Sequence, residues 1–287
     1  MANMHKWFKI NGYKAPTSSG DNPFTFGHQT EMSVFEYLAA NPSLGAAFNN
    51  HMTGYRLGRP SWIDPSIYPV RERLLADVDS SSTTPVLLVD VGGSMGRDVT
   101  MFRNTFRDAA GRVVLQDLAP IIEAGPKDEL AALGIEPMAH DFFTPQPVQG
   151  ARAYYLHHIL RTYLPAETER PGQQGNGLYP LTRSIDDWPD DTCEVIVSHL
   201  KAAMKAGYSR LLINEHIIPD VGSHWEVTYM DVYMMAMYGA RERTEDEWRA
   251  LLEGRCGLRI SQIWNPENGV EGVIECELPV VSCSAVE

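Results

Sequence analysis

The sequence predicts an α/β fold: a doubly wound, mostly parallel sheet with helices on both faces, preceded by a short helical N-terminal segment. Three observations predict it. From Pro85 onward, short apolar runs alternate with amphipathic segments. The first of those runs, Val86–Val91, ends in a glycine-rich turn. No internal repeat of roughly 20–50 residues competes with a single wound sheet. Alternation of strand and helix patterns requires crossover connections, and these place strands side by side in parallel.

Residues 1–30 are rich in Gly, Pro, Asn and Ser and read as an irregular lead-in. Thr30–Leu38 then sets Val34, Tyr37 and Leu38 on one helical face, and Pro42–Tyr55 spaces Leu44, Phe48 and Met52 four apart, so a helical pair follows. Pro69–Val78 reads as another short helix, and Asp79–Pro85 as a surface loop that ends the helical region. Val86–Val91 is a buried strand, Arg97–Ala110 a helix, Arg112–Gln116 a strand, Ala119–Gly125 a short helix and Ile135–Ala139 a third strand. Ala151–Leu156 is strand-like, Thr192–Met204 helical and Arg210–Glu215 a strand. Val227–Tyr238 and Glu245–Leu252 are helical, and Gly257–Ile263 with Gly272–Glu277 close the sheet.

With 287 residues, 44% of them hydrophobic and 21% charged, the chain can bury one large core and is too apolar to be disordered. Its net charge of -13, without any dense Lys/Arg run, repels a phosphate backbone or an anionic lipid surface, so neither nucleic acid nor membrane is expected as a partner. Cys193, Cys256, Cys276 and Cys283 form no CxxC pair. They read as reduced thiols and not as a zinc site or disulfide framework, and no metal is expected. Residues 1–16 lack an apolar signal region, and no stretch approaches ~18 apolar residues, so a soluble cytoplasmic protein is expected.

The strongest local signal is Asp90-Val91-Gly92-Gly93-Ser94-Met95-Gly96, placed between a strand and a helix. Glycines there permit positive φ and let the backbone approach a ligand at the carboxyl end of the strands, where wound sheets bind nucleotides. Asp117 ends the next strand, where an acid can accept both hydroxyls of an adenosine ribose, although it can also cap the helix that starts at Ala119. The spacing does not match the dinucleotide form GxGxxG, which argues against an NAD-dependent oxidoreductase. Instead the segment resembles the DxGGGxG motif of class I S-adenosylmethionine-dependent methyltransferases, with Ser94 in place of the third glycine.

Five further blocks are similar, in order, to the small-molecule O-methyltransferases related to plant caffeic acid and fungal natural-product enzymes. They are His140-Asp141-Phe142-Phe143, Tyr154–Leu160, Asp187–Cys193, Leu212–Glu215 and Gly239–Thr244. The resemblance implies a Rossmann-like fold, S-adenosyl-L-methionine as cofactor and a phenolic or polyketide-like acceptor. By motif it implies that Asp141 and Phe142 flank the adenine and that Trp188 lies near the cofactor. It also implies that Glu215 and Glu242 flank the catalytic base. Asp90, Gly92, Gly93, Gly96 and Asp117 complete the implied cofactor site.

Two departures stand out. The family begins with a dimerisation and substrate region, and this chain starts within its last helices. Residues 1–84 are then a helical remnant and 85–287 the cofactor-binding domain, with any homodimer weakened. The family also writes Leu-His-Asp-Trp without a break, its His acting as base, whereas here Arg161–Ile185 separates Leu160 from Asp186-Asp187-Trp188. The polar, Gly-rich run Glu167–Gly177 reads as a long flexible inserted loop. A genuine insertion accounts for it. So does a retained intron, because codons able to encode its borders can also join into a His codon directly before Asp187.

His157 and His158 follow a buried strand and are either structural imidazoles or substitute bases. Glu215 and Glu242 are either site residues or salt-bridge partners. Met230, Met234, Met235 and Met237 follow helical spacing and read as core. Two functions remain open on this sequence. One is an O-methyltransferase acting on a phenol or enol in secondary metabolism. The other is a lapsed or non-methylating member of the fold, either a cofactor-binding partner or a pericyclase-like protein.

Overall fold

The computed structural model describes residues 3–16, 20–55, 58–78, 85–160, 190–266 and 271–279. Four helices come first: α1 (Met4–Ile10), α2 (Pro23–His28), α3 (Val34–Ala40) and α4 (Pro42–Tyr55). The sheet then begins with β1 (Val86–Val91), α5 (Arg97–Thr105), β2 (Arg112–Asp117), α6 (Ala119–Ala124), α7 (Lys127–Ala132) and β3 (Ile135–Ala139). It continues through β4 (Ala153–His157), α8 (Asp190–Ala203), β5 (Arg210–Glu215), β6 (Ile217–Ile218), α9 (Trp225–Tyr238), β7 (Arg243–Thr244) and α10 (Glu245–Arg249). The last strands are β8 (Arg259–Trp264) and β9 (Gly272–Glu277).

Seven strands form one sheet in the order β3-β2-β1-β4-β5-β9-β8, while β6 and β7 pair separately. The first five are parallel, and β9 runs antiparallel to both β5 and β8. The chain starts at β1, winds outward to β3 and returns to β4, so the order reverses between β1 and β4. A crevice at the carboxyl ends of the strands forms at such a reversal.

Side chains alternate across the sheet except at the start of β1, where the register irregularity between Val86 and Leu88 leaves Leu87 and Leu88 in one cluster. Leu87 and Leu88 of β1 and Ala153 and Tyr155 of β4 share one face with Val99 and Phe102 of α5 and with Trp62, Tyr68 and Leu74. Val89 and Val91 of β1 and Tyr154 and Leu156 of β4 share the other with Cys193, Ile196 and Leu200 of α8 and with Trp248 and Leu251. Both faces are therefore covered, and the strands read in sequence as continuous apolar runs.

The irregular lead-in expected over residues 1–30 is corrected: α1 and α2 occupy much of it. Asn22 caps α2, accepting from the Phe24 and Thr25 N–H groups, and Pro23 sits at the first helical position, where its missing N–H is no loss. Residues that punctuate a loop here start a helix. Trp7 of α1 is buried and donates its indole N–H to Asp21 at 3.0 Å, which ties α1 to the approach of α2.

The helix expected over Arg97–Ala110 stops at Thr105. Arg103 turns its guanidinium onto the Ala109 and Gly111 carbonyls and satisfies the loop that follows. The segment expected to be helical over Pro69–Val78 contains a single wide turn, Arg71–Leu75. The sequence reading also omitted α7, whose Leu130 is buried under the sheet.

Candidate active site

The turn after β1 is held on β2. The Gly92 and Gly93 N–H groups both donate to the Gln116 carbonyl, at 2.8 and 3.0 Å. Gly92 and Gly96 have φ of +73° and +79°, values that glycine adopts without strain. Gly93 is required for space: a Cβ there would lie 2.4 Å from Asp90 Oδ2 and 2.6 Å from Leu115 Cδ1. Ser94, where the related motif has glycine, takes a left-handed φ of +53°. Buried Asp90 thus supports the turn from beneath, its carboxylate against Gly93.

Asp117 faces that turn from the end of β2. Its Oδ2 accepts from the Ser94 N–H at 2.8 Å and its Oδ1 from the Leu118 N–H at 2.7 Å. Burial raises its pKa above the ordinary carboxylate range, and the two backbone N–H groups pull it partly back. Each oxygen keeps further lone-pair capacity, so the group can still accept from a vicinal diol lying over the turn. The helix-cap alternative is met only by the bond to its neighbour Leu118.

Phe142, just beyond β3, closes one side: a Cβ on Gly92 would come 3.6 Å from its ring and 2.7 Å from Ile159 Cδ1. Phe143 packs beside it with ring centroids 5.0 Å apart. Asp141 shapes this loop, its Oδ1 accepting from the Phe143 N–H at 3.0 Å. Asp90, Asp117 and Phe142 therefore gather around the turn that contains Gly92, Gly93 and Gly96, with Asp141 in the loop that carries Phe142. Trp188 and the segment 161–185 lie outside the described residues.

His157 and His158 stand at the carboxyl end of β4, beside the reversal point. His157 Nδ1 is 2.5 Å from Asp98 Oδ2, and its Nε2 is 3.1 Å from Glu271 Oε2. Burial opposes the imidazolium, but the Asp98 and Glu271 carboxylates outweigh it and raise the His157 pKa to about 9. His158, with φ of +56°, sets Nε2 2.7 Å from Glu271 Oε1. Its ring meets His216 edge-on at 5.3 Å. Beneath them Asn214 donates to the Tyr155 hydroxyl at 2.9 Å.

Glu215 is fully buried at the end of β5, and its Oε1 accepts from the Leu160 N–H at 3.0 Å. Glu242 is buried with Oε1 3.2 Å from His216 Nδ1, and its own N–H donates to Asp231 at 2.9 Å. Arg243, next in sequence, donates to the Leu160 carbonyl and, at 2.7 Å, to Asp190 Oδ1. Glu215 therefore contacts Leu160 directly, whereas Glu242 is tied to His216 and only its sequence neighbour Arg243 reaches Leu160.

Sequence reasoning missed Asp98, Glu271, His216 and Arg243. His216 directly follows Glu215, and Arg243 directly follows Glu242, so strand-end adjacency could have flagged both. Asp98 and Glu271 lie 59 and 114 residues from His157, and no local pattern connects them.

Residues 175–258 match the family of the O-methyltransferase domain. The chain is 38% identical over 273 residues to O-methyltransferase mpaG of Penicillium brevicompactum, covering 95% of this chain and 61% of that relative. It thus spans about three-fifths of the length of the curated relatives it matches. A solved structure of a LepI variant in complex with SAH and a substrate analogue aligns with a TM-score of 0.73 at 28% identity, over 97% of this chain and 63% of that one. A structure described as a pericyclic reaction enzyme aligns at 0.70, also with 28% identity and the same coverage. The wound sheet, the glycine turn with its facing acid and these similarities together show a Rossmann-like methyltransferase fold that is similar over 95% of the chain to a fungal O-methyltransferase.

Proposed function

We propose that the chain binds S-adenosyl-L-methionine in the crevice between β1 and β4 and belongs to an O-methyltransferase acting on a phenolic or enolic small molecule of secondary metabolism. The observation that carries this reading is the bond from the Ser94 N–H to Asp117, which fixes an acid directly over the glycine turn. In this reading Asp117 accepts the ribose hydroxyls, and Gly92, Gly93 and Gly96 let the backbone approach the amino-acid portion. Asp90 supports the turn, and Asp141 and Phe142 border the adenine. We place the domain division after residue 84, with residues 62–74 covering one face of the sheet.

When bound, the sulfonium supplies a methyl group to an acceptor oxygen. The protein's share of such a displacement is proximity, exclusion of water and removal of the acceptor proton. Among the candidate bases His157, His158, Glu215 and Glu242, each is engaged in holding strand ends together. His157 keeps its proton between two carboxylates, His158 faces Glu271, Glu215 holds the Leu160 N–H and Glu242 faces His216. This engagement, together with the interruption between Leu160 and Asp187, supports weak methyl transfer.

A second reading, a non-methylating pericyclase-like protein, draws support from the similarity to the pericyclic reaction enzyme. Incubation with methyl-labelled cofactor and a panel of phenols and enols separates the two. Label appearing in product supports transfer. Conversion of a polyene without consumption of cofactor supports the second reading, and absence of cofactor binding by calorimetry rejects both.

A further inference from the structure

The group of side chains at the end of β4 has more in it than a transfer base requires. One ring nitrogen each of His157 and His158 and one Glu271 carboxylate oxygen lie within 4.8 Å of one another. The three residues come from two elements that the sheet fixes independently: β4 with the residue after it, and the residue immediately before β9. We propose that His157, His158 and Glu271 form a site for one divalent transition-metal ion of the zinc class, with Asp98 as the carboxylate that orients His157.

Three features carry the assignment. The donor set is two imidazole nitrogens and a carboxylate, which suits zinc and its neighbours and is a poor match for calcium or magnesium. Zinc takes such ligands at about 2.0–2.1 Å in a tetrahedron, so its ligand atoms stand about 3.3 Å apart. His157 Nε2 lies 3.1 Å from Glu271 Oε2 and His158 Nε2 lies 2.7 Å from Oε1, each close to that spacing, so the carboxylate already faces both imidazoles. Asp98 already bonds the far nitrogen of His157 at 2.5 Å, which fixes the ring and directs Nε2 toward Glu271. A carboxylate behind a ligating histidine is the usual outer support of a metal site.

Burial pushes the thiols of Cys193 and Cys256 up to about 12 and 11, so neither competes for the ion. The site rests on these side chains alone and is independent of which group the crevice transfers.

The test uses the tag-free chain, stripped with chelator and titrated with zinc. Calorimetry and elemental analysis are expected to show about one zinc per chain. Glu271→Gln and His158→Ala should each lower affinity by at least ~100-fold, and Asp98→Asn by about 10–100-fold. Circular dichroism confirms that each variant is folded. Cobalt substitution of the unaltered chain provides a readout that needs no variant, with visible ligand-field bands and no thiolate charge transfer. Failure to bind zinc stoichiometrically, thiolate bands in the cobalt form, or unchanged affinity in folded Glu271→Gln overturns the proposal.

Discussion

Gly93 and Asp117 show at the scale of single residues how the crevice is made. At Gly93 the constraint is volume and not φ, because a methyl group would sit 2.4 Å from the Asp90 carboxylate and 2.6 Å from Leu115. Asp90 and Leu115 both sit on buried strands and cannot yield cheaply. Gly93→Ala should therefore destabilise the fold by about 1–3 kcal/mol and lower cofactor affinity, measured by urea unfolding and by calorimetry. Asp117→Ala removes charge-assisted hydrogen bonds and should weaken binding of S-adenosylmethionine by about 1–3 kcal/mol. The pH dependence follows from the sign of its shift. Burial raises the folded-state pKa, so the native state takes up this proton at a higher pH than the unfolded chain does. Lowering the pH through that raised value adds stability from this group while removing the ionised acceptor proposed for the ribose hydroxyls. Cofactor affinity should thus fall in weak acid before the fold does, and Asp117→Asn should flatten that profile. An unchanged profile in the variant would exclude Asp117 as the titrating acceptor.

Elements differ in how plainly the sequence announces them, and the difference has a physical source. β1, β3, β5 and β9 match their expected bounds end to end because a strand covered on both faces, or bounded by glycine and charge, is a short apolar run. α1 and α2 were not legible because Asn22 and Pro23 belong both to turns and to helix starts, and only the capping bonds decide between them. The helix expected to Leu252 holds α-helical form to Arg249 and then widens over Ala250–Arg255, a change that apolar periodicity does not record. The glycine turn and Asp117 were legible because one strand-turn-helix passage and the next strand contain them all. Asp98 and Glu271 were not, because each acts on a residue far along the chain. The helices and strands that cover the faces also set thiol reactivity. Cys193 on α8 and Cys256 after the widened turn are buried, and burial raises both thiols far above neutrality, while Cys276 on β9 is shifted upward as well. Native protein at neutral pH should leave these three peptides unalkylated by iodoacetamide, and denaturant should expose them, as read by peptide mass spectrometry. Rapid native labelling of Cys193 would mean that the α8 face opens.

For the molecule as a whole, the proposed cofactor crevice stands beside an interrupted base motif, and the geometry around Arg243 makes their relation testable. Arg243 is buried and bonds both the Leu160 carbonyl and Asp190 Oδ1, while Glu215 holds the Leu160 N–H. The residues on either side of segment 161–189 are thus gathered on one guanidinium. If Arg161–Ile185 is deleted and Asp186→His is introduced, the sequence reads Leu160-His-Asp187-Trp188-Pro189-Asp190, leaving four residues to join the two anchors. Five Cα steps of an extended chain reach about 16–18 Å, which exceeds the distance a single guanidinium spans, so the shortened connection closes without moving β4 or α8. The new imidazole then follows Leu160, whose N–H and carbonyl are already fixed by Glu215 and Arg243, so the base enters a preorganised place. A positioned general base contributes about 10²–10⁴-fold, and the edited chain should exceed the original by that factor in transfer from labelled S-adenosylmethionine to a phenol. The comparison should be made at equal cofactor occupancy, confirmed by calorimetry for both chains. Equal and high rates would show that the unedited chain already has its base, and equal affinity without any gain in rate would show that the crevice serves a reaction other than methyl transfer.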